Sequence, residues 1–142
     1  MNHDHYSDAM LRDVFASVKT IALVGASANP SRPSHGVMDF LLKRGYAVTP
    51  VNPGLAGQIL LGQTVVATVA DVSAPIDMID VFRNSATIPN LVEEILAMAN
   101  SPKVVWMQLG VVHEQAAEQL EQRGITVIMN RCPLIEMPRL GL

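Results

Sequence analysis

This 142-residue sequence predicts a doubly wound α/β domain, Rossmann-like, with a mainly parallel five-stranded sheet flanked by helices. Three observations predict it. Short apolar runs of strand character alternate with stretches whose apolar residues recur at helical spacing. Strands separated by whole helices need crossover connections, which build parallel sheets covered on both faces and turn with the right hand. The first apolar run ends in V-G-A-S-A-N-P-S-R-P-S-H-G at 24–36, where sheets of this kind receive ligands, beyond the carboxyl ends of their strands.

The elements follow in order. Met10, Leu11, Val14, Phe15 and Val18 mark an amphipathic helix over about 7–18, capped by Ser7 or Asp8 through a backbone N–H bond. The apolar run from Ile21 is the first strand. A helix near 34–44 ends at Gly45, a natural C-terminal stop, and Y-A-V-T-P-V is the second strand. The stretch 54–75 matches neither period and predicts a loop, a short strand near Thr64–Ala67 and a short helix near 69–72. I-D-M-I-D-V-F at 76–82 is the third strand, and Ile88, Leu91, Val92, Ile95, Leu96 and Ala99 line the next helix. V-V-W-M at 104–107, a helix carrying Ala116, Ala117 and Leu120 that stops at Gly124, and I-T-V-I-M complete the five strands. No repeat or linker interrupts them, so 1–142 reads as a single domain with its core over about 19–138.

Composition bounds the function. The sequence is 49% hydrophobic and 16% charged with a formal net charge of -3, which suits a soluble domain with its own core and does not suit a general nucleic-acid binder. Any anion site must be local. Cys132 is the only cysteine, which rules out an internal disulfide or a multi-cysteine zinc site and fits a reducing compartment. The N-terminus has no basic segment followed by an apolar one, and no apolar run reaches the ~18 residues of a membrane span; a cytoplasmic location without membrane contact is expected. His3 and His5 are expected to be solvated at a mobile terminus.

The 24–36 loop suits phosphate. Gly25 permits a sharp turn and close approach, Ser27 offers a hydroxyl and backbone N–H groups, and the helix beginning near Ser34 directs its free N–H groups to the same place. Arg32 adds a forked cation. The competing ligand is a nicotinamide dinucleotide, but its Gly-x-Gly-x-x-Gly fingerprint, begun at Gly25, meets Ser27 and Pro30 where glycines are needed. The acidic residue that would read the ribose at the end of the second strand is replaced by Asn52.

The pieces G-A-S-A-N-P-S-R-P-S-H-G, G-Y-A-V-T-P-V-N-P, D-M-I-D-V-F-R, V-W-M-Q-L-G-V and N-R-C-P-L-I-E, in this order over roughly 10–138, closely resemble the small stand-alone coenzyme A-binding proteins, which are similar to the coenzyme A-binding domain of the succinyl-CoA synthetase α subunit. The resemblance implies a Rossmann-like domain that binds coenzyme A. Carried over by position, it implies that Gly25, Ser27, Arg32 and Pro33 hold the phosphates, with Ala26 and Gly36 counted among the binding residues of the same loop, and that Val51, Asn52 and Pro53 line the adenosine side. Val81, Phe82 and Arg83 would stand at the end of the third strand, Gln108, Leu109 and Gly110 at the end of the fourth, and Cys132 near the ligand. The family often has lysine after Cys-Pro or Cys-Met; this chain has Leu134.

Other polar residues have structural readings beside functional ones. Arg83 faces either the ligand cleft or a surface ion pair; His35 touches phosphate or solvent. Lys43 and Arg44 complement a helix dipole. Asp77 and Asp80, at i and i+3 of a strand, point to opposite faces and are expected to cap or hydrogen-bond loops rather than to act together as acid and base. The methionines, Met78, Met107 and Met129 among them, read as core filler. Cys132 lacks an evident base and reads as buried and inert. His113, at the start of a helix, has no phosphohistidine role implied by the resemblance.

With no catalytic constellation visible, the expected function is binding of coenzyme A or an acyl-CoA as a carrier, sensor or subunit. Acyl-CoA chemistry of ligase or transferase type is the alternative, followed by an NAD(P)-dependent oxidoreductase. The expected partner is a small molecule, not nucleic acid or membrane; a protein partner or a homodimer stays open.

Overall fold

The structure, a computed structural model, describes residues 1–142. Helix α1 (Asp8–Ser17) is started by Ser7, whose hydroxyl oxygen accepts the Met10 N–H at 3.1 Å. Strand β1 (Thr20–Val24) leads through the 25–32 loop into α2 (Pro33–Lys43) and on to β2 (Ala47–Val51). A small hairpin of β3 (Ile59–Leu60) and β4 (Gln63–Thr64) precedes β5 (Met78–Val81). Then come α3 (Ile88–Leu96), β6 (Val104–Met107), α4 (Glu114–Glu121), β7 (Thr126–Ile128) and α5 (Pro133–Arg139).

β2, β1, β5, β6 and β7 form one sheet in that order, and every neighbouring pair is parallel. The expected α/β class and five-stranded parallel sheet are present. Because consecutive strands add first to one side of β1 and then to the other, the order reverses at β1, and β1 and β5 feed helices on opposite faces of the sheet, α2 and α3, which is where sheets of this kind form a ligand crevice.

The strands are buried on both faces, as a parallel sheet between helices requires. On one face α1, α2 and α5 pack Leu11, Phe15, Met38, Leu41 and Met137 against Leu23, Met78 and Trp106. The Phe15 and Trp106 rings stand 5.2 Å apart, and the Trp106 indole N–H donates to the Arg131 carbonyl at 2.9 Å. On the other face α3 and α4 pack Leu91, Val92, Ile95 and Leu120 against Ala22, Ile79, Val105 and Val127. Met78, Met107 and Met129 are core residues.

The structure departs from the sequence reading in four places. The stretch 54–75 holds the β3–β4 hairpin, a single bridge between Val51 and Val66, and a 3₁₀ turn at Val69–Asp71, in place of one strand near Thr64–Ala67. Two-residue strands joined through Leu61 and Gly62, both with positive φ, are too short to show a period. Helix α5, absent from the sequence reading, carries Pro133 and Pro138, a residue type that breaks helix interiors. Pro133, however, occupies the first turn, where no N–H is needed, and the helix ends one residue after Pro138. His3 is held rather than solvated: Nδ1 is 2.6 Å from the Tyr6 hydroxyl and Nε2 is 2.7 Å from Glu121, while the Tyr6 oxygen accepts the Met129 N–H. Asp80, expected to serve a loop, has no exposed surface at all.

Candidate functional site

At the carboxyl edge, over the switch point, lies a cleft of about 770 Å³, within the ~300–1,000 Å³ typical of small-molecule sites. Gly25 opens it. Its φ of +92° is open to glycine and costly for other residues, and a Cβ there would lie 3.2 Å from Phe82 and 3.3 Å from the Arg83 side chain. The missing side chain lets the loops after β1 and β5 approach.

Asn52, the residue after β2, fastens this loop. Its side-chain N–H donates to the Ala26 carbonyl at 2.8 Å, and its Oδ1 accepts the Gly54 N–H at 2.9 Å. Further along, Ser27 Oγ accepts the Asn29 N–H and Asn29 Oδ1 accepts from Ser31. These bonds leave the backbone N–H groups of Ser27 and Ala28 without a protein acceptor. Ser34, in the first turn of α2, is in the same state, because the side chain of the capping residue, Arg32, has no acceptor, and the Arg32 carbonyl takes the His35 N–H. Arg32 itself is exposed and pairs with no acid. Unpaired N–H groups at a helix N-terminus beside a free guanidinium suit a phosphate group or another multiply charged anion.

The far wall comes from the loops after β5, β6 and β7. Phe82, Leu109 and Val111 make it apolar. Asn130, at φ 58°, accepts the Gly110 N–H at 2.8 Å, and the Arg131 N–H bonds the Met107 carbonyl. These contacts hold the β7–α5 turn against the end of β6 and bring Cys132 to the cleft. Cys132 is largely buried; burial pushes its thiol above the ordinary value, the Leu134 N–H pulls it back, and Asp80 and Glu136 push it further up.

Of the residues singled out from sequence, Gly25, Ala26, Ser27, Arg32, Pro33, Asn52, Phe82, Gln108, Leu109 and Cys132 line this one cleft. Val51, Pro53 and Arg83 line a smaller hollow of about 240 Å³ on the α3 face, and Arg83 has no acid within ion-pair distance. Val81 is enclosed in the core, Gly36 sits within α2 facing open space, and Gly110 lies in the loop beside Asn130. His35 does not line the cleft. His113 caps α4, its Nδ1 accepting the Ala116 N–H. Asp77 accepts from the Lys19 and Thr20 N–H groups, joining α1 to the sheet.

The sequence reading missed Ala28, Asn29, Gly54, Leu55 and Val111 on the cleft wall and the near-complete burial of Ser34. It also missed Asp80, beneath the floor. Its Oδ1 accepts the Gln108 side-chain N–H at 2.9 Å, its Oδ2 has no partner, and burial pushes its carboxyl up to about 7 against the lowering bond from Gln108. The available signal was an acid inside the apolar run M-I-D-V, which marks the position as unusual without saying whether it is enclosed.

Comparison with known proteins follows the same outline. A Bacillus subtilis protein, the uncharacterized protein YneT, is 38% identical over 126 residues, covering 89% of this chain and 90% of its own length. A Thermus thermophilus structure, cell-free ID.343, is 39% identical with a TM-score of 0.89, covering 95% of this chain and 99% of that one. A hypothetical protein from Pyrococcus horikoshii OT3 is 32% identical with a TM-score of 0.90, covering 100% and 97%. The family model described as a CoA binding domain matches residues 19–138, from the residue before β1 to the last turn of α5. With the cleft at the switch point and a matching segment that takes in the whole sheet, this chain belongs to the CoA-binding domain family.

Proposed function

We propose that the chain, as one unit over 1–142, binds coenzyme A or an acyl-CoA in the cleft at the carboxyl edge of the sheet and serves as a carrier, sensor or subunit. The observation that carries this reading is the set of acceptor-free N–H groups of Ser27, Ala28 and Ser34 beside the unpaired Arg32. A diphosphate satisfies such donors with charge-assisted bonds, each of which is worth more than a neutral one. Coenzyme A, when bound, supplies a thiol that carries acyl groups as thioesters.

The residues divide the work. Gly25 keeps the β1 and β5 loops close, and Asn52 holds Ala26 so that the N–H groups behind it stay aimed at the cleft. Arg32 neutralises phosphate charge. Pro33 fixes the start of α2 without adding an N–H of its own. Phe82, Leu109 and Val111 take water off the uncharged arm of the ligand, and Cys132 and Gln108 stand near its end. A dinucleotide is disfavoured because the side chain at the end of β2 is a neutral amide already committed at both ends to the backbone.

Calorimetric titration of coenzyme A and of NAD(P), side by side on the same protein, tests the reading. Saturable heat with coenzyme A and none with NAD(P) is the expected result. No binding of coenzyme A would overturn it, and turnover of acyl-CoA by the purified protein would replace a carrier or sensor with an enzyme.

A further inference from the structure

Asp80 and Gln108 form a pair that phosphate binding does not use. Asp80 lies in mid-strand with Leu23 and Trp106 as its register partners, and it is wholly enclosed. Gln108 is 4% exposed, and it lines the cleft. Its Nε2 is bonded to Asp80 Oδ1, whereas its Oε1 has no protein donor and is not among the enclosed unpartnered atoms, so it opens to the cleft.

Gln108 can meet a carboxyl in this position in either charge state, each time through Oδ1, since Oδ2 has no partner. Ionised, Oδ1 accepts the Gln108 N–H, and Gln108 shows the cleft an acceptor, Oε1. Protonated, the acid needs an acceptor for its proton. Nothing faces Oδ2, so the proton is satisfied on Oδ1, donating to Gln108 Oε1 once the amide has turned over. The turned amide then shows the cleft a donor, its N–H. Leaving the proton on Oδ2 instead would strand a buried donor, which costs more than a terminal amide rotation.

No cation biases the choice. On the helices packed against this face, Asp8, Arg12 and Asp13 of α1 are exposed, as is Lys43 of α2, and His35 and Asp39 of α2 are partly so. On α5, Glu136 is partly exposed and Arg139 exposed. Cys132 is the titratable neighbour that responds to the Asp80 charge. Burial and the single bond from Gln108 set the balance, and they leave it near neutral pH.

Resting on the coenzyme A reading above, we infer that Asp80 and Gln108 discriminate the two forms of the ligand's sulfur end, offering an acceptor to a free thiol when Asp80 is ionised and a donor to a thioester carbonyl when it is protonated. The cleft thereby couples its preference between coenzyme A and acyl-CoA to one buried proton. The phosphate donors of the β1–α2 loop line the same cleft as Phe82, Leu109, Gln108 and Cys132, so a ligand held there by its phosphates has apolar wall and the Gln108 amide within one cavity for its thiol-bearing arm.

The test is calorimetric titration of coenzyme A and acetyl-CoA at about pH 6 and about pH 8, read as the ratio of the two affinities. The phosphates are common to both ligands, so their own titration cancels. The ratio is expected to move about tenfold toward coenzyme A at the higher pH, the order of one hydrogen bond made or lost, and to become pH-independent in Asp80→Asn. Should that variant not fold, the Asp80 carboxyl carbon followed by NMR in the natural protein gives the same answer by linkage. Coenzyme A lowers its titration midpoint and acetyl-CoA raises it, by about one pH unit per tenfold of preference. A constant ratio, or midpoints moved the same way by both ligands, overturns the inference and leaves coenzyme A binding standing. Failure of both ligands to bind brings down that reading and this inference together.

Discussion

At the scale of single residues, Arg32 and Asp80 carry opposite kinds of charge chemistry. Arg32 is exposed, makes no ion pair and buries little, so the fold does not depend on its cation. Arg32→Ala should weaken coenzyme A binding by about 1.5–3 kcal/mol, the usual worth of a charge-assisted bond, and leave the melting temperature unchanged; calorimetry and a thermal scan check both. Asp80 acts on stability instead. Its ordinary value is 3.8, and burial pushes it up to about 7 in the folded protein. Between those values the folded chain keeps a proton that the unfolded chain has released. Stability is therefore full below the lower value and falls as pH rises through the window, by on the order of a few kcal/mol in all. Asp77 works in the opposite sense and elsewhere. Burial alone would raise it, but the N–H groups of Lys19 and Thr20, with Lys103, bring it below 3.8, and its contribution is lost only as pH falls through that acid range. Urea unfolding from about pH 5 to pH 8 should show the decline from Asp80, and Asp80→Asn should remove it.

At the scale of elements, the β1–α2 loop is held from two sides. Asn52 ties it to the end of β2, and the bare Cα of Gly25 lets it lie on the β5 loop. Asn52→Asp keeps the acceptor for Gly54 but sets a carboxylate oxygen against the Ala26 carbonyl, which should cost about 1–3 kcal/mol. Faster amide exchange at 26–29, together with a lower urea midpoint, is the expected signature. Gly25→Ala adds a Cβ at a φ of +92° and 3.2 Å from Phe82; a loss of roughly 1–3 kcal/mol is expected for the backbone strain alone. Because the loops after β1 and β5 must then part, the loss should be accompanied by weaker ligand binding in the same titration.

At the scale of the whole molecule, α1 and the strap before it matter more than their place outside the 19–138 family segment suggests. Leu11, Val14, Phe15 and Val18 bury themselves on the face that holds Trp106, and Tyr6 is buried at the end of β7. Each such side chain is worth about 1.5–3 kcal/mol on burial, against a total stability of about 5–15 kcal/mol for an ordinary domain. A chain lacking residues 1–18 should therefore lose its cooperative thermal transition, measured by circular dichroism, although it retains all five sheet strands. An unchanged melt would show that the remaining face closes over Trp106 by itself. No helix in the structure is long and apolar enough to cross a membrane, so the exposed Leu109, Leu134 and Ile135 do not belong to a spanning helix.

Local pattern was enough to determine the five strands of the main sheet, the helices from α1 to α4 and the parallel sense of that sheet, because periodicity and crossover length are written within a few residues of each other. It was also enough to mark the turn after Val24, where Gly25, Ser27, Arg32 and Pro33 stand close together in the chain and line one cleft. The two-residue strands β3 and β4 and the proline-bearing α5 were not legible, being too short for any period to develop. Only the tertiary structure decided that Asp80 is enclosed, that Gln108, 28 residues away, supplies its bond, and that Tyr6 meets Met129 across 123 positions. An acid in an apolar strand has the same local signature at a solvated edge as at the centre of a sheet. Which it is depends on the neighbours that cover it, and these come from strands and helices that sequence distance keeps apart until the chain folds.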